Sequence, residues 1–179
     1  MHTQKDGAVI APSFSLKLIN RNAGSAAGRG GIMIRHAQAT DASRIAEISI
    51  FAKRMNYRSI FNDDKVSFGE MQVYPLAKEY LDEPDKLQGI WVFDDEFVKG
   101  FININGHEIV ELYVDSFFAG QGIGGDLLDF AVNQHGCDRL WVLEDNKGAV
   151  RFYEKHGFRK SGQRKQEEGT DVYSIELIR

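Results

Sequence analysis

With 179 residues, 42 % of them hydrophobic and 27 % charged, the chain is long enough to bury a core of its own and reads as one soluble globular domain. No apolar run approaches the roughly 20 residues of a membrane-crossing helix, and a single cysteine, Cys137, excludes an intrachain disulfide framework and points to the reducing cytoplasm. The formal charge of −4 and the pI near 5.7 argue against nonspecific nucleic-acid binding.

Residues 1–32 read as an appendage. Asn20 to Gly31 (NRNAGSAAGRGG) is small and polar, as a linker is, while Phe14, Leu16 and Leu18 alternate with polar residues as in a short extra strand. The segment is basic (Lys5, Lys17, Arg21 and Arg29 against Asp6), which leaves an acidic body suited to a cationic substrate such as a polyamine, an aminoglycoside or a lysine-bearing protein. Periodic patterning begins at Met33, so the domain is expected over 33–179.

That domain opens with a strand at Ile32–His36. A helix capped by Thr40 or Asp41 follows to about Tyr57, then a second helical region over Asp64–Leu81 with a break near Tyr74 imposed by Pro75. Gly89–Phe93 and Phe97–Asn103 read as strands around an Asp94-Asp95 turn, and Asn105-Gly106 is a hairpin signal leading into a further strand to Val114. A helix runs from the glycines to about Gln134 and stops at His135-Gly136. Cys137–Leu143 is a strand, Asn146 caps a helix over Lys147–Lys155, and two strands close the chain from Phe158 and from Val172 to Ile178. The order β-α-α-β-β-β-α-β-α-β-β is mixed α/β, largely antiparallel, with one strand–helix–strand crossover.

The chemistry concentrates between Ile109 and Phe130. Gly120, Gly122, Gly124 and Gly125 separate a strand from a helix, a density beyond ordinary turn punctuation. Glycines there let a ligand approach the backbone, and the free N–H groups of the helix's first turn bind an anion such as a phosphate. Taken alone, Gly120-x-Gly122-x-x-Gly125, with Glu144 as a ribose-binding acid, also fits a dinucleotide site. Three strands and two helices before it, and only a short tail after Glu144, argue against that reading.

Asn146-x-x-Ala149-x-x-Phe152-Tyr153-Glu154-Lys155-x-Gly157-Phe158, together with Ala119-Gly120-Gln121-Gly122-Ile123-Gly124 after Leu112-Tyr113-Val114-Asp115, resembles the GNAT family of acetyl-CoA-dependent N-acetyltransferases. The resemblance covers the body and is strongest over 109–158. It implies a twisted, mostly antiparallel sheet with a splayed parallel strand pair and helices on both faces. Gln121, Gly122, Ile123, Gly124 and Gly125 would wrap the pyrophosphate of coenzyme A, Leu112, Tyr113 and Val114 would pair with the pantetheine arm, and Asn146 would contact the cofactor. Tyr153 would protonate the leaving thiolate, a role that suits a phenol protonated at neutral pH. The family carries Arg or Gln where this chain has Ala119, which removes one phosphate contact.

An acceptor amine must lose a proton, and Glu108 and Glu111 are the carboxylates on the central strand. Their spacing puts them on opposite faces unless a bulge intervenes. No metal-ligand spacing appears, so acetyl-CoA is the cosubstrate without a metal. The acceptor, a small-molecule or peptide amine, is expected against Met55–Tyr74 and the last hairpin, where Tyr57, Phe61, Phe68, Tyr74 and Tyr173 supply aromatic surface and Asp63, Asp64 and Glu70 negative charge. No nucleic-acid or membrane partner is expected, and the resemblance allows a homodimer through the last strands. A coenzyme-A-binding regulatory module with little catalysis is the competing reading, supported by Ala119 and the unassigned base.

Overall fold

The computed structural model describes residues 33–61 and 63–179. The appendage, with the linker and extra strand expected in it, lies outside the described residues.

One seven-stranded sheet organises the domain, in the order β1 (Met33–His36), β2 (Ile90–Asp95), β3 (Phe97–Asn105), β4 (Glu108–Val114), β5 (Arg139–Leu143), β7 (Tyr173–Ile178), β6 (Arg159–Gln166). All neighbours are antiparallel except β4 and β5, which are parallel. A dinucleotide fold needs a mostly parallel sheet, so this topology removes that reading. Helices α1 (Ala42–Phe61) and α2 (Val73–Asp82) cover β2 and β3 on one face, burying Ile45, Ile48, Tyr80, Ile90, Val92 and Phe101. On the other face α3 (Ile123–His135) and α4 (Lys147–Lys155) bury Leu127, Leu128, Val150 and Tyr153 against Ile102, Leu140, Ile175 and Leu177.

The element order matches the sequence expectation, and the departures have local causes. Asp41 does not simply cap α1. It ends a short 3₁₀ turn (Ala39–Asp41) and accepts from the Gln38 N–H at 2.8 Å, while Arg35 of β1 grips both its oxygens at 2.7 and 3.0 Å. Pro75 breaks no helix at Tyr74. The break comes earlier, at Met71-Gln72 after a π-type turn (Val66–Glu70), and Pro75 is the third residue of α2. In that first turn its missing N–H has no partner to lose. The β2–β3 turn centres on Glu96, at φ 66°, because Asp94 and Asp95 both remain in β2.

α1 is tied to the end of β4 by Arg44, whose Nε donates to the Val98 carbonyl at 2.9 Å and whose Nη2 meets Asp115 at 2.5 Å. Asp115 in turn accepts from the Phe117 N–H at 2.9 Å and starts the turn that leads to the glycines. One ion pair thus sets the first helix, the central strand and the loop beyond it relative to one another.

Candidate active site

β4 carries the geometry that makes a site. Its ladder with β3 pairs Glu108 with Asn105, Ile109 with Ile104 and Glu111 with Asn103, so Val110 is an extra, bulged residue. The bulge cancels the odd spacing of the two acids, and Glu108 and Glu111 lie on the same face, that of α1. On its other edge β4 pairs with β5 only at Glu108–Arg139 and Ile109–Leu140. Beyond Ile109 that edge of Leu112, Tyr113 and Val114 has no strand partner, and the two strands diverge. Backbone N–H and C=O groups left free along such an edge seek another extended chain.

The divergence opens a cleft of about 570 Å³, walled by Glu111, Leu112 and Tyr113 of β4, Trp141 and Leu143 of β5, Asn146 and Tyr153 of α4, and Lys53, Tyr57 and Phe61 of α1. Glu111 stands in it, in an ion pair with Lys53 at 2.8 Å. Glu108 sits at the closed end of the strand pair, beside Arg139, and does not line the cleft. The Tyr57 and Tyr113 hydroxyls are hydrogen-bonded at 2.9 Å. Burial, then the neighbouring Tyr57, pushes the Tyr153 phenol well above the ordinary tyrosine range. Burial does the same to Tyr113, reinforced by Tyr57 and Glu111. Tyr153 therefore holds its proton at neutral pH, and its hydroxyl makes no hydrogen bond among the described residues.

The glycine loop lies at the open end of the divergence. Gly120 and Gly122 have φ of 78° and 90°, a conformation that a side chain resists, and the space where a Cβ would project is open at both. α3 begins immediately after, with no side-chain cap at Gly122. The backbone N–H groups of Gly120 to Gly125, including those of Gln121 and Ile123, have no partner among the described residues, the arrangement that receives a phosphate. Gly124 serves packing instead. Its Cα faces the Phe152 ring of α4, where a Cβ would stand 3.5 Å from the ring. Asn146 caps α4 by accepting from the Ala149 N–H at 3.1 Å, and its side chain also reaches the cleft wall.

Of the aromatics and acids expected around an acceptor, Tyr57 and Phe61 reach the cleft and the others do not. Phe68 packs under Arg54 and Arg58, Tyr74 is exposed, Tyr173 lies beneath Arg164, and Asp64 pairs with Arg58. Lys53, Trp141, Glu167 and Ser174 also line the cleft, and no sequence signal marks them. They come from separate elements, and no local motif links them.

The sheet is thus opened between two parallel strands, with the unpartnered amides of the glycine loop at the mouth and a buried tyrosine within. The family model described as acetyltransferase (GNAT) domain matches residues 86–160. Among curated proteins, the peptidyl-lysine N-acetyltransferase YjaB of Salmonella typhimurium is 32 % identical over 88 residues, covering 49 % of this chain and 59 % of that one. The uncharacterized N-acetyltransferase MJ1207 of Methanocaldococcus jannaschii is 41 % identical over 56 residues, covering 28 % of this chain and 25 % of its own length. The chain thus spans less than two thirds of either curated relative. The solution structure of apo YjaB from Escherichia coli superposes with a TM-score of 0.66 at 22 % identity, covering 83 % of this chain and 97 % of that one. The PaiA N-acetyltransferase of Thermoplasma acidophilum, solved with coenzyme A, gives 0.62 at 21 % identity over 83 % and 99 %. Residues 86–160 thus match the GNAT acetyltransferase domain, and the fold is the one these acetyltransferase structures share.

Proposed function

We propose that this chain is an acetyl-CoA-dependent N-acetyltransferase acting on a primary amine by direct attack. The observation that carries this reading is the divergence of β4 from β5 after Ile109, with the unpaired amides of the glycine loop at its open end and Tyr153 within the cleft. Two structural neighbours bear on the cosubstrate: the PaiA enzyme was solved with coenzyme A, and yncA of Salmonella typhimurium, at a TM-score of 0.56, with acetyl-CoA.

In this reading the amides of Gly120 to Gly125 hold the pyrophosphate, and the free edge of Leu112–Val114 pairs with the pantetheine arm and aims the thioester. Glu111 takes a proton from the incoming ammonium, directly or through water. The amine nitrogen then bonds to the thioester carbon, the carbon–sulfur bond breaks, and Tyr153 gives its proton to the departing thiolate. The name of YjaB, a peptidyl-lysine N-acetyltransferase, supports a polypeptide amine as one acceptor to try. Glu108 is the weaker candidate for the base, since it stands outside the cleft.

Calorimetric titration with acetyl-CoA, followed by turnover against a panel of amines, lysine peptides and aminoglycosides, tests the proposal. Binding with turnover of some amine is expected. No binding at millimolar acetyl-CoA would overturn it, and binding without turnover of any acceptor would favour the regulatory module suggested by Ala119.

A further inference from the structure

The last hairpin brings to the cleft a carboxylate that the scheme above leaves unused. Glu167, at the neck between β6 and β7, is fixed by its own backbone. Its N–H donates to the Val172 carbonyl at 2.9 Å, and its carbonyl accepts from the Thr170 N–H at 3.1 Å and the Thr170 hydroxyl at 2.9 Å. Its side chain is fixed as well, since Oε1 accepts from the Ser174 hydroxyl at 2.5 Å. Ser174 is 4 % exposed and pairs with Leu143 of β5, so Glu167 is anchored to the β5 wall, across the cleft from β4.

The two carboxylates of the cleft differ in what they hold. Glu111 is paired with Lys53 at 2.8 Å, whereas Glu167 has no cationic partner among the described residues. Lys165, two residues before it on β6, sits over the Trp141 ring instead, 4.3 Å from its centroid. With one oxygen held by a neutral hydroxyl, the carboxylate keeps lone pairs free to accept from a cation entering the cleft. Tyr57, Phe61 and Trp141 line the same cleft. A cleft that holds both aromatic rings and a carboxylate without a cationic partner suits an apolar chain with an ammonium at its tip.

We propose that Glu167 receives the acceptor's ammonium and that the acceptor is an alkylammonium of the lysine side-chain type. The proposal rests on the acetyl-transfer reading given above. It makes Glu167 a substrate-binding residue and Ser174 the residue that positions it.

The test uses the full chain, saturated with coenzyme A, and two probes: Nα-acetyl-lysine N-methylamide and its uncharged counterpart, Nα-acetyl-norleucine N-methylamide. The wild type is expected to prefer the lysine probe by at least about tenfold, the range of one charge-assisted hydrogen bond. Glu167→Gln, which keeps the side chain's shape and its acceptor for Ser174, should abolish that preference and leave the norleucine probe and acetyl-CoA binding unchanged. Ser174→Ala should reduce the preference by roughly threefold, since the charge remains but its position is released. A wild type that does not prefer the lysine probe, or a Glu167→Gln variant that keeps the preference, overturns the proposal. The acetyl-CoA titration reads the acetyl-transfer reading separately, because loss of that binding in the wild type defeats the function and not merely the residue.

Discussion

Lys53 of α1 and Glu111 of β4 meet at 2.8 Å across the cleft, on the face to which the Val110 bulge turns both strand acids. The pair holds Glu111 beside the free edge of Leu112–Val114, where the thioester is proposed to lie. Glu111→Gln is expected to lower kcat by about 10²-fold, the low end for loss of a general base, with acetyl-CoA affinity within about twofold of the wild type. Glu108→Gln should leave kcat nearly unchanged, since that residue does not line the cleft. Steady-state kinetics on any accepted amine decides between the two carboxylates, and the reverse pattern would move the base to Glu108.

Tyr153 is buried against Phe152 and Phe158, and its phenol titrates well above the usual range through burial and then through Tyr57. A general acid must carry its proton, so activity that depends on it is lost only as pH rises through its own pKa. A raised pKa moves that loss upward. The wild-type kcat should therefore show no alkaline fall attributable to tyrosine below about pH 10. Tyr153→Phe should cut kcat by about 10- to 100-fold at all pH values in that range while acetyl-CoA binding is kept. Unchanged turnover in Tyr153→Phe would remove the residue from the reaction.

Gly122 and Gly124 stand two residues apart and should respond differently to the same methyl group. At φ 90° an alanine at 122 strains the backbone although the space for its Cβ is open. Gly122→Ala is expected to cost about 1–2 kcal/mol and to weaken acetyl-CoA binding by displacing the amides of the loop. At 124 the Cβ meets the Phe152 ring at 3.5 and 3.6 Å and Val114 Cγ2 at 3.7 Å, which is ordinary contact. Gly124→Ala should therefore melt within about a degree of the wild type, where Gly122→Ala should fall by about 2–8 °C. Equal melting temperatures for the two variants would contradict the assignment.

How much of this was legible in the sequence depends on how far apart the partners lie. The strand–glycine–helix unit and the Asn146 cap are local patterns, and the structure has them where the residues put them, Gly136 closing α3 at φ 64° included. The shared face of Glu108 and Glu111 was not legible, because a bulge is a property of the β3–β4 pairing and Val110 looks like any strand valine. Pro75 was misplaced because a proline in a helix's first turn and one that breaks a helix share a local sequence. The cleft residues Lys53, Trp141 and Glu167 were beyond reach for a third reason. Each is ordinary in its own element, and only the divergence of β4 from β5 brings them together. Ser174 fits the same account, as a polar residue in an apolar strand whose use becomes visible through Glu167.

Cys137 supplies a check on the core rather than the site. It is 2 % exposed, and burial, with Asp138 adding to it, pushes its thiol up to about 11. Reaction requires the thiolate, so the native thiol should be inert to iodoacetamide at about pH 8 and become reactive only on unfolding. Labelling as fast as that of free cysteine under native conditions would show that the packing of α3 on β5 is open in solution.

Asp41 joins β1 to the entry of α1, and its charge should set the acid limb of stability. Burial alone would raise its pKa. The Arg35 guanidinium and the Gln38 N–H outweigh that, and the net shift is downward. A carboxyl whose folded pKa is depressed stabilises the fold at pH values above its unfolded pKa of about 3.9 and loses that contribution as pH falls through the lowered folded value. Asp41→Asn removes the charge but keeps the shape, and leaves Arg35 with Asp94 alone, at 2.8 Å. It is expected to destabilise the domain by about 2 kcal/mol near neutral pH, measured by urea unfolding. The gap between variant and wild type should narrow as pH is lowered from about 5 toward 2, because the wild type then protonates the same carboxyl. A gap that stays constant across that range would mean that the Arg35–Asp41 pair contributes through packing and not through charge.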